Sequence, residues 1–303
     1  TPLSNLASLE QITLDYHQIL NISPLKNLNN IEWLSLIGNQ ISVLSPLEEL
    51  QQLSTLYLDS NQVNDANIQI LASLTNLEIL GLEQNAISNL SPLSNLSKLM
   101  ALYLSSNTIT DITPIKGLTD LMILHLAENN ISSIDPLQEL IKLTEINLNK
   151  NLISNIEVVS KFANLIKLFL GNNNIITLAS SAGNSYFAGL PNLEELDLST
   201  NQITDLGPLG GLQKLYLLYL DNNLIENIDS LSTMVNLYKL RLNNNNIVDI
   251  TPLAGLSKLE ELHLGNNQIV DITIFSTGLE SLGYLDLNSN QITNLAPLGE
   301  RGW

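Results

Sequence analysis

The sequence contains no cysteine. A disulfide framework, a cysteine nucleophile and a cysteine-based zinc site are therefore excluded for this chain. Extracellular domains of the animal kind usually carry several disulfides, so that class is disfavoured. Secretion by a bacterium and a cytosolic location are both compatible with the composition.

Basic residues are also scarce. The chain has 12 Lys and Arg against 30 Asp and Glu, a formal net charge of −18 at pH 7. Nucleic-acid binding depends on many contacts from Lys and Arg to phosphates, so we expect no nucleic-acid partner. An anionic membrane surface is disfavoured for the same reason. No apolar run approaches the roughly 20 residues of a membrane-spanning helix, so we expect no membrane insertion.

A short pattern is abundant instead. The stretch from Leu53 to Val63 reads L-x-x-L-x-L-x-x-N-x-[IV]. In a strand, Leu56 would point to one face, and Thr55 and Tyr57 to the other. Thirteen copies follow one another, mostly 22 residues apart, and they open at residues 9, 31, 53, 77, 99, 121, 143, 165, 193, 215, 237, 259 and 282. Such a fixed period predicts a solenoid whose units pack on their neighbours.

Two further columns recur with the same period. The asparagine represented by Asn61 is predicted to bond backbone groups that the turn leaves unpaired. Proline follows a hydroxyl residue in Ser45-Pro46 and Thr113-Pro114, which predicts an N-cap and the first turn of a short helix. The same interpretation applies to Ser91-Pro92 and Thr251-Pro252. Acids that recur at one position are predicted to cap turns, namely Asp111, Asp205, Asp249 and Asp271.

The 22-residue period and the phrase Ile109-Thr-Asp-Ile112-Thr-Pro-Ile115 resemble the leucine-rich repeat family. Within it they are similar to the bacterial internalin type and the SDS22-like type, over essentially residues 1–298. The resemblance implies an α/β solenoid, a horseshoe of about 13 repeats with a parallel β-sheet on the concave face and short 3-10 or α-helical turns on the convex face. We expect a single domain over 1–303, with a partial repeat at 1–8, an insertion in repeat eight at 179–190 and a tail at 299–303.

Some repeats depart from the pattern. Repeat three lacks proline in 64–74 and is two residues longer, which predicts a fuller helical turn. Repeat seven replaces the proline phrase at 156–162, which predicts a short helix. In the 179–190 insertion we expect Phe187 to fill the core and the Ser/Gly/Asn-rich part to form a surface loop. Residues 1–8 are half a repeat without a polar cap, so we expect natural sequence to precede Thr1.

The outward strand positions carry the candidate partner-binding residues. The first strip consists of Trp33, Tyr57, Ile79, Tyr103, Ile123 and His125, and the second of Phe169, Leu217, Tyr219 and Arg241, with Tyr216 and Tyr238 nearby. Aromatic residues make up only 5% of the chain, so their clustering on a rigid face favours binding anchors. The alternative is that aromatic and β-branched residues simply favour strands and stabilise cross-strand ladders.

Acidic residues flank the first strip at Glu10, Asp15, Glu32, Asp59, Glu78 and Glu83. They favour a partner with a basic and apolar patch, although an ordinary solvated face would look the same. A calcium site from Asp15, Asp59 and Glu83 lacks any loop motif.

Residues suited to catalysis are sparse. The three histidines, His17, His125 and His263, belong to repeats one, six and twelve, too far apart to share a metal or a triad. No phosphate loop or spaced carboxylate pair is present. We therefore expect no enzymatic activity, no metal and no cofactor.

The pattern leaves three functions open. Resemblance to internalins implies protein–protein recognition on the concave face, in a bacterial cell-surface or secreted adhesion domain, and hence an extracellular location. The first alternative is a cytoplasmic SDS22-like scaffold that docks an enzyme such as a phosphatase. The second is a structural subunit of a cell-surface assembly. The sequence identifies neither the partner nor the oligomeric state.

Overall fold

Every repeat except the first and the last places a buried apolar residue at the centre of a three-residue strand. In the third repeat Leu56 is completely buried, between the outward residues Thr55 and Tyr57. Leu53 and Leu58 beside it are at most 1% exposed. Because side chains alternate along a strand, the leucines form a core on one side of the sheet and the outward residues form a separate face.

The computed structural model describes residue 6 and residues 8–299. Most of the predicted partial repeat 1–8, and all but residue 299 of the predicted tail 299–303, lie outside the described residues. The chain divides into two compact units, Thr1–Asn151 and Leu152–Trp303. The single domain over 1–303 stays a prediction.

The first unit contains parallel strands that pair in sequence order, each with the next. They are β1 (Gln11–Thr13), β2 (Trp33–Ser35), β3 (Thr55–Tyr57), β4 (Ile79–Gly81), β5 (Ala101–Tyr103), β6 (Ile123–His125) and β7 (Glu145–Asn147). Short 3-10 helices alternate with them at Ser23–Leu25, Ser45–Leu47, Ile68–Ser73, Ser91–Leu93, Thr113–Ile115 and Asp135–Leu137.

The second unit is built in the same way, with parallel pairing in sequence order. Its strands are β8 (Lys167–Phe169), β9 (Glu195–Asp197), β10 (Leu217–Tyr219), β11 (Lys239–Arg241), β12 (Glu261–His263) and β13 (Tyr284–Asp286). The 3-10 helices lie at Glu157–Lys161, Gly207–Leu209, Asp229–Thr233, Thr251–Leu253 and Thr273–Ser276, and a short α-helix, α1, at Ala296–Gly299. Both units confirm the predicted solenoid of parallel strands and short helical turns.

The asparagine column links each repeat to the one before it. Asn61 donates from Nδ2 to the carbonyl of its own Leu58 at 3.1 Å and to that of Leu36, one repeat earlier, at 2.9 Å. Its Oδ1 accepts the Ile41 N–H at 2.9 Å. Ser60, just before it, has a left-handed φ of 54°, so the side-chain bonds hold a turn that costs backbone strain. The structural role predicted for this column is confirmed.

The prediction that the hydroxyl residues are N-caps is wrong. Each of these residues is the first residue of a 3-10 helix, namely Ser45, Ser91, Thr113 and Thr251. The residue before each of them occupies the N-cap position and makes no side-chain capping hydrogen bond. For Ser91, Thr113 and Thr251 the side chain two residues earlier takes that role, because an Asx turn brings its oxygen to the free N–H. Asp111 Oδ1 accepts the Thr113 N–H at 2.8 Å. The predicted turn-capping acids all accept such a bond, namely Asp111, Asp205, Asp249 and Asp271.

The irregular repeats change only the side opposite the strands. The fuller turn predicted in 64–74 is the 3-10 helix Ile68–Ser73, and the predicted short helix in 156–162 is Glu157–Lys161. In the 179–190 insertion, Phe187 is 2% exposed and fills the core as predicted. Residues 181–184 are exposed and form the predicted surface loop. Strand pairing across the insertion keeps its register, with Leu168 opposite Leu196.

Candidate partner-binding surface

The first and third residues of each strand point away from the core, and we call the surface that they form the strand face. All ten predicted binding residues lie on it. Trp33 is 38% exposed, and the other nine are half-buried. In the first unit, the parallel register places Tyr57, Gly81, Tyr103 and His125 at consecutive positions across β3 to β6.

Four rings of the first predicted strip form a group that we call the aromatic row, composed of Trp33, Tyr57, Tyr103 and His125. The centroids of Trp33 and Tyr57 are 5.6 Å apart, and those of Tyr103 and His125 are 5.0 Å apart with the rings edge to face. Both geometries are favourable for aromatic pairs. Gly81 lies in register between the two pairs, and the Tyr57 ring leans over it, with Cδ1 2.6 Å from where a Cβ of residue 81 would stand. A side chain at position 81 would therefore collide with the Tyr57 ring.

A hydrogen bond ends the row at one side. His125 Nε2 lies 2.9 Å from Glu145 Oε1. Within the row, burial raises the pKa of the Tyr57 and Tyr103 hydroxyls above the usual value of 10.0. Both tyrosines are therefore neutral at physiological pH and present a ring together with a hydrogen-bonding hydroxyl.

Carboxylates lie beside the aromatic row, two residues after the strand ends. Asp59 Oδ1 accepts the Glu83 N–H at 2.8 Å. Burial first, and then the negative charges of Glu83 and Asp15, raise the pKa of Asp59 to about 6. In the part of the chain that the structure describes, no side chain donates a hydrogen bond to the Asp59 carboxylate. The electrostatics of this region therefore favour a positively charged group.

The two units differ in how their carboxylates are neutralised. Among the fourteen outward residues of β1–β7, all of them described, none is Lys or Arg. In the second unit, Lys239 Nζ lies 2.7 Å from Glu261 Oε2, and Arg241 Nε lies 2.6 Å from Asp221 Oδ2. In the described part of the chain, Lys and Arg side chains therefore pair with carboxylates on the second strand face but not beside the aromatic row.

The second predicted strip is interrupted. Asp197 lies in register between Phe169 and Tyr219, so a carboxylate separates these two rings. Tyr216 and Tyr238 do stack, with centroids 4.9 Å apart and planes 18° from parallel. They immediately precede β10 and β11, which places them at the border of the strand face.

The sequence predicts neither a bound metal ion nor a membrane-spanning helix. Among residue 6 and residues 8–299, no three His, Cys, Asp or Glu side chains are grouped so that they could bind a metal ion. Every helix in this described part is too short and too polar to span a bilayer.

Sequence reasoning missed two members of the first site. Gly81 was not singled out, and Asp59 was named as a flanking acid and in a calcium site but not as a partner-binding residue. A signal was nevertheless present, because Tyr-Leu-Asp-x-Asn occurs at both 57–61 and 219–223. Comparing the residues that follow one repeat later, Gly81 and Arg241, would have marked the difference between the two copies.

Comparisons with known proteins agree with this architecture. A family model of leucine-rich repeats (2 copies) matches residues 163–211, 191–233 and 257–300. An internalin (inlF) from Listeria monocytogenes is 33% identical, and the match covers 98% of this chain and 86% of that protein with a TM-score of 0.93. A leucine-rich repeat protein of Leptospira interrogans is 25% identical, with 98% and 84% covered and a TM-score of 0.82.

A more distant structure shares the fold alone. The plant peptide hormone receptor RGFR1, solved in complex with RGF2, is 23% identical, and the match covers 97% of this chain and 50% of the receptor with a TM-score of 0.79. No match was found among curated protein sequences. The identity to the Listeria internalin over most of both chains shows that this chain belongs to the leucine-rich repeat family, with repeats of the internalin type.

Proposed function

We propose that the protein recognises a protein partner non-covalently through the strand face of its first unit. The aromatic row of Trp33, Tyr57, Tyr103 and His125 is the observation that carries this proposal. Large aromatic side chains on a rigid surface are typical anchors of protein interfaces. The parallel ladder holds them in place before a partner arrives, so little conformational entropy is lost on binding.

The carboxylates distinguish binding from the simpler alternative of strand stabilisation. Aromatic residues that only stabilise the sheet would explain the ring contacts. They would not explain why Asp59 and Glu83 lie near the rings without a Lys or Arg partner among the described residues. A partner that supplies both apolar surface and positive charge accounts for the two features together.

The proposed setting is a bacterial cell surface or the extracellular medium, where the domain acts in adhesion or recognition and not as an enzyme. Similarity to the Listeria internalin and to the Leptospira protein supports this setting. The plant receptor, solved with RGF2, supports a peptide or protein as the occupant of such a fold. Leucine-rich repeat proteins are typically binding modules, which supports a non-catalytic role.

The binding surface is tested by paired tyrosine substitutions. A partner is captured on the immobilised protein, and its affinity is measured by biolayer interferometry. Tyr57→Ser with Tyr103→Ser is expected to weaken binding by about a hundredfold or more, since interface anchors each contribute about 2 kcal/mol or more. The melting temperature should change by only a few degrees, because both rings are half-exposed.

The matched control is Tyr216→Ser with Tyr238→Ser, which removes two tyrosines from the second unit. This variant should keep the affinity of the unchanged protein. Equal affinity of the Tyr57 and Tyr103 double variant and the unchanged protein would exclude the first strand face as the binding surface.

The location is tested separately by treating intact source cells with a protease. Release of peptides from this chain would support the surface or secreted setting. Protection until the cells are lysed would contradict it and favour a cytoplasmic scaffold that docks an enzyme.

A further inference from the structure

Two repeats of the chain place an aspartate in the same local frame. The sequence Tyr-Leu-Asp begins at Tyr57 in one repeat and at Tyr219 in the other. Asp59 Oδ1 accepts the Glu83 N–H at 2.8 Å, and Asp221 Oδ1 accepts the equivalent Asn243 N–H at 2.8 Å. The carboxylates are therefore held in the same way relative to their tyrosines and to the next strand.

The two frames differ in the last residue of that next strand. In the second unit it is Arg241, which lies in register between Tyr219 and His263 and donates from Nε to Asp221 Oδ2 at 2.6 Å. In the first unit it is Gly81, in register between Tyr57 and Tyr103. One repeat thus has a guanidinium on its carboxylate, supplied by a residue in register between two aromatic residues. The other has the aromatic residues and the carboxylate without the guanidinium.

A third repeat shows that a donor at this position is a recurrent solution. Asp15 occupies the aspartate position after β1, and the next strand ends in Ser35, whose hydroxyl donates to Asp15 Oδ1 at 2.6 Å. Of Asp15, Asp59 and Asp221, Asp59 is the one whose neighbouring strand position carries no donor side chain.

The surroundings of Asp59 favour a planar cation. Asp59 Oδ2 lies against Gly81, and the Tyr57 ring covers the same glycine. Burial and the charges of Glu83 and Asp15 raise the pKa of Asp59 to about 6, so the free carboxylate is poorly stabilised as an anion. A guanidinium donates to a carboxylate through its edge and packs on aromatic rings through its face, whereas an ammonium is a compact, strongly hydrated charge.

We propose that Asp59, together with the rings of Tyr57 and Tyr103, binds an arginine side chain of the protein partner, which supplies the guanidinium that Arg241 supplies to Asp221 within the chain. This assignment rests on the proposed function, because the strand face of the first unit must be the binding surface. The basic, apolar partner would then bind through one specific residue, an arginine, at one specific position of the strand face.

The test selects binding peptides from a displayed library of random sequences on the full chain. The selected peptides are then measured against the unchanged protein, Asp59→Asn, and the Tyr57→Ser with Tyr103→Ser variant. Asp59→Asn keeps an oxygen for the Glu83 N–H and removes only the charge. Glu139→Gln is the matched control, since Glu139 is exposed beyond the 3-10 helix Asp135–Leu137.

The expected result is enrichment of arginine in the selected peptides, with affinity reduced about tenfold or more by Asp59→Asn and unchanged by Glu139→Gln. Replacing the peptide arginine by uncharged citrulline should cost about the same, and should cost little further in the Asp59→Asn protein. Replacing it by lysine should weaken binding as well.

The other outcomes separate the two proposals. In one outcome, peptides lose binding in the tyrosine variant but show no arginine preference, or bind Asp59→Asn equally well. That outcome would contradict the arginine site but not the strand face as the binding surface. Peptides that bind the tyrosine variant as tightly as the unchanged protein would contradict the proposed function, and the arginine site with it. The same conclusion follows if no peptide binds above the background measured on the support without protein.

Discussion

Replacing Asn129 by Ala tests the asparagine column at one buried position. Asn129 is 7% exposed. Its Nδ2 donates to the carbonyls of Leu104 at 3.0 Å, Leu126 at 3.1 Å and Ala127 at 3.2 Å, and its Oδ1 accepts the Ile109 N–H at 2.9 Å. The substitution removes all four hydrogen bonds.

The four groups are not equally affected. The Leu104 carbonyl keeps a bond from Asn107, the Leu126 carbonyl one from Asn151, and the Ala127 carbonyl one from the Ser106 N–H. The Ile109 N–H is the group that loses its partner inside the protein. A buried unsatisfied donor costs about 1–3 kcal/mol, and each lost secondary bond about 0.5 kcal/mol, so we expect a loss of about 3 kcal/mol in the free energy of unfolding.

The assay is urea unfolding followed by far-UV circular dichroism, with Asn130→Ala as the control. Asn130 is the exposed next residue, so its substitution should change the free energy of unfolding by less than about 0.5 kcal/mol. Amide hydrogen exchange adds a local readout, because the Ile109 N–H should exchange faster in Asn129→Ala. If Asn129→Ala and Asn130→Ala were equally stable, the structural role given to the column would be refuted.

Two further predictions concern stability. Asp59 binds its proton more tightly in the folded chain, with a pKa of about 6 against an ordinary 3.8, so folding loses stability as pH rises through this interval. Asp59→Asn should therefore match the unchanged protein near pH 4 and exceed its stability above about pH 7, by at most about 3 kcal/mol, in thermal unfolding across pH; a constant difference would contradict this. Phe187→Ala should cost about 3–5 kcal/mol because it empties a buried position, whereas Ser181→Ala in the exposed loop should cost almost nothing in urea unfolding.

The fold was predictable because its determinants repeat. Leu56, Asn61 and their equivalents occur at a fixed period, and such a period can be read from residue type alone. The hydroxyl caps were predicted wrongly because each helix begins one residue earlier than the proline pattern suggests. Thr113 is the first helical residue, and Asp111 accepts the Thr113 N–H.

The site was predictable only in part. Tyr57 and Tyr103 could be assigned to the strand face by alternation. The interruption of the second strip by Asp197 follows from strand register. It is not apparent when the strip is defined by its aromatic residues alone. That Asp59 lies against Gly81 depends on how a side chain packs where its neighbour has none, and periodicity carries no such information.

The asparagine column also determines which changes in repeat number and repeat length the protein can tolerate during evolution. Each amide bonds only its own repeat and the preceding one, so duplication or deletion of a whole repeat would leave every remaining junction chemically complete. Asn201 shows the tolerance for extra length, because it still reaches the Leu170 carbonyl at 3.0 Å and the Ile175 N–H at 3.0 Å across the 179–190 insertion. Changes in length therefore accumulate on the helical side, while outward strand residues such as Tyr57 are free to be replaced. The scaffold can therefore be conserved while the binding specificity of its strand face changes.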